Sequence, residues 1–305
     1  MLWIQRTACL LVPALVAASC ASIPTPQAQT ATTAPSTTEE LHALLTPGSP
    51  ALPLISAHRG GAGPGLPENC IATFEQTAQT GFALIEVDPR LTRDGIIVLH
   101  HDPTLERTTS GQGLLADHTY AELHALRLKD LDGHLTQESI PTLEEALRWA
   151  QGRAVLVLDS KDVSVQQRVA AITELQAEAY AMMLIYSIAD AQECYRLNPR
   201  IMMEVAITNP KQFEQFDRSG VPWTNIVAFV GHTPPTDHPL LSAIHEKGAC
   251  CMAGTSRNLD RDLADADEAA KAKLAPEYQA LIEFGVNIIE TDLPRQLRPL
   301  IHPPS

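Results

Sequence analysis

The stretch "ALIEVDPRLTRDGIIVLHHD", residues 83–102, decides how many strands the fold contains. It holds two apolar runs, "ALIEV" at 83–87 and "IIVLH" at 96–100. The link between them carries "TRDG", 92–95, and is too short for the right-handed crossover that joins parallel neighbours. Asp-Gly between apolar runs is instead a hairpin signal. The second run should therefore fold back antiparallel on the extended end of the first. With Asp94-Gly95 as a two-residue loop, Asp88 falls opposite His101. With Arg93-Asp94 as the loop, Glu86 does. The strand period is two, so either register brings His101 to the face that carries Glu86 and Asp88.

Similar apolar runs recur outward from this stretch. They are "LISA" 54–57, "AVLVLD" 154–159, "MMLIYS" 182–187, "IMMEVAI" 201–207, "NIVAFV" 225–230, "ACCMAG" 249–254 and "NIIET" 287–291. Near-continuous apolar strands are typical of a parallel sheet covered on both faces. Between most of them lie helix-like stretches. "TFEQTAQTG" closes on a Gly stop signal, "TLEEALRWAQG" opens with a Thr-x-x-Glu capping box, and "LLSAIHEKG" repeats the format. Of the nine runs the hairpin removes one, which leaves eight. The reading is an α/β fold, a (β/α)8 TIM barrel, with the hairpin and an insertion over 102–140 between its second and third strands.

The first fifty residues differ from the remainder. Arg6, an apolar run over 8–17, small residues and then Cys20 read as a lipoprotein-type signal peptide over 1–20, with Cys20 becoming the lipidated first residue. An ordinary cleaved signal peptide is the alternative. Residues 21–50 are rich in Thr, Pro, Ser and Ala and are read as a disordered tether, because such a stretch buries too little apolar surface to offset its ordering entropy. The barrel domain is assigned to 51–305. Both leader readings imply export: a lipid anchor on the periplasmic side of a bacterial envelope, or a periplasmic or secreted protein. Cys70, Cys194, Cys250 and Cys251 match no disulfide framework or zinc spacing, so no bridge is assigned.

The formal net charge of −14 over 305 residues excludes a nucleic-acid binder, which needs a basic face for phosphates. It leaves room for a small phosphate ester held by a few placed cations. Glu86 and Asp88 project to one side of their strand, and two like charges so close call for a cation between them. Oxygen ligands favour Mg²⁺ or Ca²⁺. A solvated strand end with a surface ion pair is the plainer alternative. "LVLDSKD" places Asp159 and Lys161 together at another strand end, where they either pair with each other or divide. In the second case Asp159 completes a three-carboxylate metal site and Lys161 holds a phosphate oxygen. His100 points away from the carboxylates by alternation and reads as a packing residue. Glu68 and Asn69 read as braces of the glycine-rich loop, and Glu204 and Asp292 as strand-end residues near the same face.

These pieces resemble the glycerophosphodiester phosphodiesterase family of phosphatidylinositol-phospholipase-like barrels. The resemblance is carried by "HRG" 58–60, "PEN" 67–69, "EVD" 86–88, "TRDG" 92–95 and "HD" 101–102, in order and at similar spacing. "LERTTSG", "IPTLEEAL" and "IIETDLP" extend it. It implies a metal-dependent hydrolysis of glycerophosphodiesters to glycerol phosphate and an alcohol, with His58 and His101 as general acid and base. It further implies Arg59 and Lys161 on the phosphate, and Glu86, Asp88 and Asp159 around one divalent cation, Ca²⁺ or Mg²⁺. Family members are thought to use the substrate's own glycerol hydroxyl as nucleophile, through a cyclic phosphate. Two departures stand out: Asp159 where the family usually has Glu, and "CCMAGTSRN" where it often has a Trp-Thr-x-Asn segment. The same machinery acting on a lysophospholipid, a sugar phosphodiester or a wall polymer, and a non-catalytic binding lipoprotein, are the competing readings.

Overall fold

The computed structural model describes residues 33–303. Ten strands follow in order: β1 (Leu54–Ala57), β2 (Leu84–Val87), β3 (Pro89–Leu91), β4 (Ile97–Leu99) and β5 (Val155–Leu158). The second half comprises β6 (Ala181–Ile185), β7 (Met203–Ala206), β8 (Ile226–Gly231), β9 (Cys250–Gly254) and β10 (Ile288–Thr291). Eight of them close a parallel barrel in the order β1-β10-β9-β8-β7-β6-β5-β2, while β3 and β4 form a separate two-stranded sheet. The expected (β/α)8 barrel and its eight strands are therefore present.

Alternation along each strand explains the double-sided burial. Ile55, Ile85, Leu156 and Ile289 pack outward against the helices. Leu54, Leu84, Val155 and Ile288 point into the barrel. Both sets are at most 3% exposed, so each short strand loses its apolar surface to a core on either side. The helices form where the stop and start signals fall. Leu143–Ala150 opens on a capping box made by Thr142 and Glu145, and Ile71–Gln79 and His238–Glu246 end just before Gly81 and Gly248. The four cysteines of the domain are free and buried.

Two expectations need correction. The hairpin takes neither of the two registers: Pro89 pairs with Leu99 and Leu91 with Ile97, so His100 follows Asp88 across the ladder. The loop is three residues, Arg93-Asp94-Gly95, between Thr92 and Ile96, with Gly95 at φ 80° accepting the left-handed turn. The tether reading also fails over its second half. Thr38–Leu44 is a helix capped by Thr37, and Leu41 and Leu45 are buried against Leu54, Leu84 and Val155. Those residues begin their strands, so the helix closes the amino end of the barrel. The leader and the start of the tether, 1–32, lie outside the described residues.

The insertion carries a small core of its own, with Leu105, Leu115, Leu123 and Leu128 packed on Val98 and Ile140. It stands beside the carboxyl ends of the strands, where this fold places its chemistry.

Candidate active site

A cavity of about 370 Å³ opens at the carboxyl end of the barrel, and His58, Arg59, Glu86, His101, Asp159 and Lys161 lie on its wall. Six of the seven residues singled out from the sequence thus face one space. Asp88, the seventh, is buried behind them and joins Glu86 and Asp159 in a cluster whose carboxylate oxygens lie within 4.8 Å of one another.

β1 ends in a tight turn over His58–Gly60, with Arg59 at φ 50°. Gly60 and Gly61 are required there. A Cβ on Gly60 would stand 2.4 Å from the Phe74 ring, and one on Gly61 would stand 2.2 Å from Pro294. The turn aims the Arg59 amide at Glu86 Oε2, 2.8 Å away. Asn69, also at positive φ, donates to Asp88 Oδ2 at 2.6 Å and accepts from the Asp88 amide at 2.9 Å. Buried Arg168 donates through Nη1 to the carbonyls of Leu158, Asp159 and Leu184, which fixes where β5 and β6 end.

Asp159 and Lys161 do pair, at 2.5 Å, and the ammonium also reaches Asp88 Oδ1 at 3.0 Å. Asp159 therefore belongs to the carboxylate cluster and to an ion pair at once. Its Oδ1 accepts from the Ser160 amide at 2.6 Å and the Tyr186 hydroxyl at 2.7 Å. Burial opposes its charge, but Lys161 and these donors hold its carboxyl below the usual range. Burial, and then the charge of Asp88, push Glu86 the other way, well above the ordinary carboxylate value.

Both histidines are held through Nδ1 by a carboxylate, which leaves Nε2 for the cavity. His58 Nδ1 lies 2.6 Å from Asp292 Oδ1, and His101 Nδ1 lies 2.7 Å from Asp102 Oδ1. Burial works against the His58 imidazolium, yet Asp292 and the charges of Glu86 and Glu290 outweigh it and raise its pKa to about 9. Asp102 is in turn gripped by Arg107, which also pairs with Glu68, and Glu68 reaches Arg59 Nη1 at 3.3 Å. Asn69 and Glu68 brace the loop as expected. His100 is buried, with Nε2 beside the Thr108 hydroxyl and Nδ1 beside the Asp102 carbonyl, and takes no place on the cavity wall.

Three participants were not singled out from sequence: Arg107, Tyr186 and Glu290. Arg107 sits in the "LERTTSG" stretch of the family pattern, which is the one signal that pointed to it. Tyr186 and Glu290 occupy strand ends among apolar residues, and only barrel closure turns them towards the cavity.

The chain is similar to known proteins over most of its described length. A family model described as the glycerophosphoryl diester phosphodiesterase family matches residues 58–295. A solved glycerophosphoryl diester phosphodiesterase from Parabacteroides distasonis ATCC 8503 is 39% identical and covers 88% of this chain and 93% of that one, with a TM-score of 0.82. An Oleispira antarctica phosphodiesterase, solved in complex with the product sn-glycerol-3-phosphate, is 25% identical over 82% of this chain and 97% of that one, with a TM-score of 0.58. Glycerophosphodiester phosphodiesterase 1 of Bos taurus is 44% identical over 94 residues, 30% of this chain and 28% of that relative's length.

Proposed function

The chain belongs to the glycerophosphoryl diester phosphodiesterase family, and on that premise we propose that it hydrolyses glycerophosphodiesters to glycerol phosphate and an alcohol. One observation carries the reading. Two histidines, each oriented by a carboxylate on Nδ1, share a cavity wall with two cations and with Glu86 and Asp159, behind which Asp88 completes a cluster of three carboxylates. The sn-glycerol-3-phosphate in the Oleispira antarctica structure supports the same substrate class.

Phosphodiester cleavage needs a base for the nucleophile, an acid for the leaving alkoxide and positive charge on the phosphoryl oxygens. His58, protonated at neutral pH by its carboxylate surroundings, is the acid. It presents Nε2–H while Asp292 keeps the ring in one orientation. His101, held by Asp102, is the base and takes the nucleophile's proton on Nε2. Arg59 lines the cavity with its Nε 3.8 Å from Asp88 Oδ2 and its Nη1 3.3 Å from Glu68 Oε2, and its guanidinium supplies positive charge for an anionic oxygen. Lys161, which meets the other oxygen of Asp88 at 3.0 Å, adds a point charge.

Glu86, Asp88 and Asp159 fit a hard divalent cation. All three are buried and their oxygens converge, an all-oxygen donor set of the kind a hard divalent cation takes. When bound there, Ca²⁺ or Mg²⁺ would polarise the phosphoryl oxygens. Export with a lipid on Cys20 belongs to the same proposal, supported by Arg6 and the apolar run that follows it.

The test is a hydrolysis assay on a panel of phosphodiesters, with and without chelator. Glycerol phosphate should be released, release should stop in excess chelator, and Ca²⁺ or Mg²⁺ should restore it. Failure of the ion-supplied protein on every glycerophosphodiester overturns the activity, and undiminished turnover in chelator overturns the metal.

A further inference from the structure

The two histidines depend on carboxylates that are themselves held in different ways. Asp102 is gripped on both oxygens by Arg107, so the orientation of His101 is fixed through side chains. The side chain of Asp292 is 48% exposed, and among the described residues the His58 ring is the one group bonded to its carboxylate. Its direction is therefore set from behind, by its backbone.

That backbone has already left the sheet. The ladder between β1 and β10 ends at Ala57 with Thr291, so the Asp292 amide lies past the last paired residue and needs an acceptor from elsewhere. Asp260, in the short helix Leu259–Ala264, supplies it. Its Oδ2 accepts from the Asp292 amide and from the Thr291 hydroxyl, both at 2.8 Å. Its Oδ1 accepts from the hydroxyls of Thr255 at 2.7 Å and Tyr278 at 3.1 Å. One carboxylate thus ties the turn after β9 and the helix Glu268–Glu283 to the end of β10.

A clasp of this kind does not by itself call for a carboxylate. Asp260 is 4% exposed, and burial holds its pKa above the ordinary value although all four donors pull it down. Thr255 has a second acceptor in the Glu290 carbonyl at 3.0 Å, so its hydroxyl is not the partner that demands the charge. The Asp292 amide is, since Asp260 is its one acceptor among the described residues.

We propose that Asp260 is a positioning residue for His58, acting through Asp292; the proposal rests on the acid role assigned to His58 above. Holding the Asp292 amide fixes where its carboxylate leaves the chain, and with it the plane in which the His58 ring presents Nε2. Without that hold, a half-exposed carboxylate is free to turn to solvent, and the ring loses its single orientation.

The test is a double-mutant cycle on the full, ion-supplied chain, with kcat and KM read separately on a glycerophosphodiester that the wild type turns over. Asp260→Ala should lower kcat about 10-fold or more, the scale of a misplaced catalytic group. KM should change little, because Arg59, Lys161 and the cation still hold the phosphate. In an Asp292→Ala background the same substitution should cost little further. Asp260→Asn keeps an oxygen for the Asp292 amide and can donate to the Thr255 and Tyr278 hydroxyls, so it should keep most of kcat. Tyr278→Phe removes a donor from the far oxygen and should lower the melting temperature without lowering kcat. Should Asp260→Ala not fold, Thr291→Val, which loosens the same oxygen, takes its place in the cycle. Equal costs with and without Asp292 overturn the proposal. So does a loss that falls on KM alone, or a Tyr278→Phe that lowers kcat as far as Asp260→Ala. Those results leave the activity standing, whereas a wild type that hydrolyses no glycerophosphodiester overturns the activity itself.

Discussion

His58 and Asp292 stand 234 residues apart in the chain, yet Nδ1 of one lies 2.6 Å from Oδ1 of the other. The pairing exists because β1 and β10 are neighbours in the closed barrel, matched from Leu54 with Ile288 to Ala57 with Thr291. Each residue then follows the end of its strand. His101 has its carboxylate next door in sequence, whereas His58 depends on closure for its own.

That pairing sets a pH dependence. The folded-state pKa of His58 is raised to about 9, so its interaction with Asp292 is fully present below the unfolded value of about 6.5 and is lost as pH rises through about 9. Because the acid must be protonated, turnover should fall over the same alkaline range. Asp292→Asn removes one of the carboxylates that raise the pKa, the one bonded to the ring, so the alkaline limb of kcat/KM should move to lower pH. A limb that stays in place means another group controls it.

Replacing either histidine should cost ~100-fold or more in turnover, the range for a lost general acid or base. His58→Ala and His101→Ala should both retain the far-ultraviolet signature and melting behaviour of a folded barrel, since the rings lie at its mouth, outside the packed layers. Near-normal turnover in either variant would remove that residue from the mechanism.

Asp159 is where the chain departs from the usual Glu of its family. The shorter side chain sets the carboxylate back by roughly 1.3–1.5 Å, about one carbon–carbon bond. Three donors already hold it, so it cannot drift to compensate. A site with one recessed ligand suits the larger, more tolerant Ca²⁺, or a shell completed by water. Asp159→Glu should remain active and shift the preference towards Mg²⁺, and Asp159→Ala should lose ion affinity. Titrations of both ions into the three proteins decide it, and an alanine variant that binds like wild type leaves Asp159 as no more than the partner of Lys161.

Leu41 tests the amino-terminal helix. It is fully buried beneath the barrel, and Leu41→Ala should destabilise the fold by about 2–5 kcal/mol through lost burial and a cavity. Denaturant unfolding gives the value. A change near zero would mean that the helix rests on the barrel without contributing to it.

Much of the barrel is legible in the sequence because its information is local. Apolar runs of strand length, caps such as Thr142 with Glu145, and glycine stops are written in neighbouring residues. The strand period of two is enough by itself to put Glu86 and Asp88 on one side. The helix at Thr38–Leu44 is also legible in principle: Leu41 and Leu45 stand four apart behind a capping Thr37, a signal hidden by the Thr- and Pro-rich composition around it.

The hairpin register is not local in that sense. Two-residue and three-residue turns both satisfy "TRDG"; in the register adopted, Leu99 packs in the core between barrel and helices and Val98 beneath the insertion. His101 reaches the cavity all the same, because the chain bends at Asp88 and strict alternation does not carry from β2 into β4. Closure itself decided the rest. Glu204 and Glu290 lie on strands separated by two others, and only a sheet rolled into a ring turns both towards one interior. Spacing along the chain sets which face a side chain takes, but which other faces it meets is a property of the closed sheet, where no short stretch of sequence carries the answer.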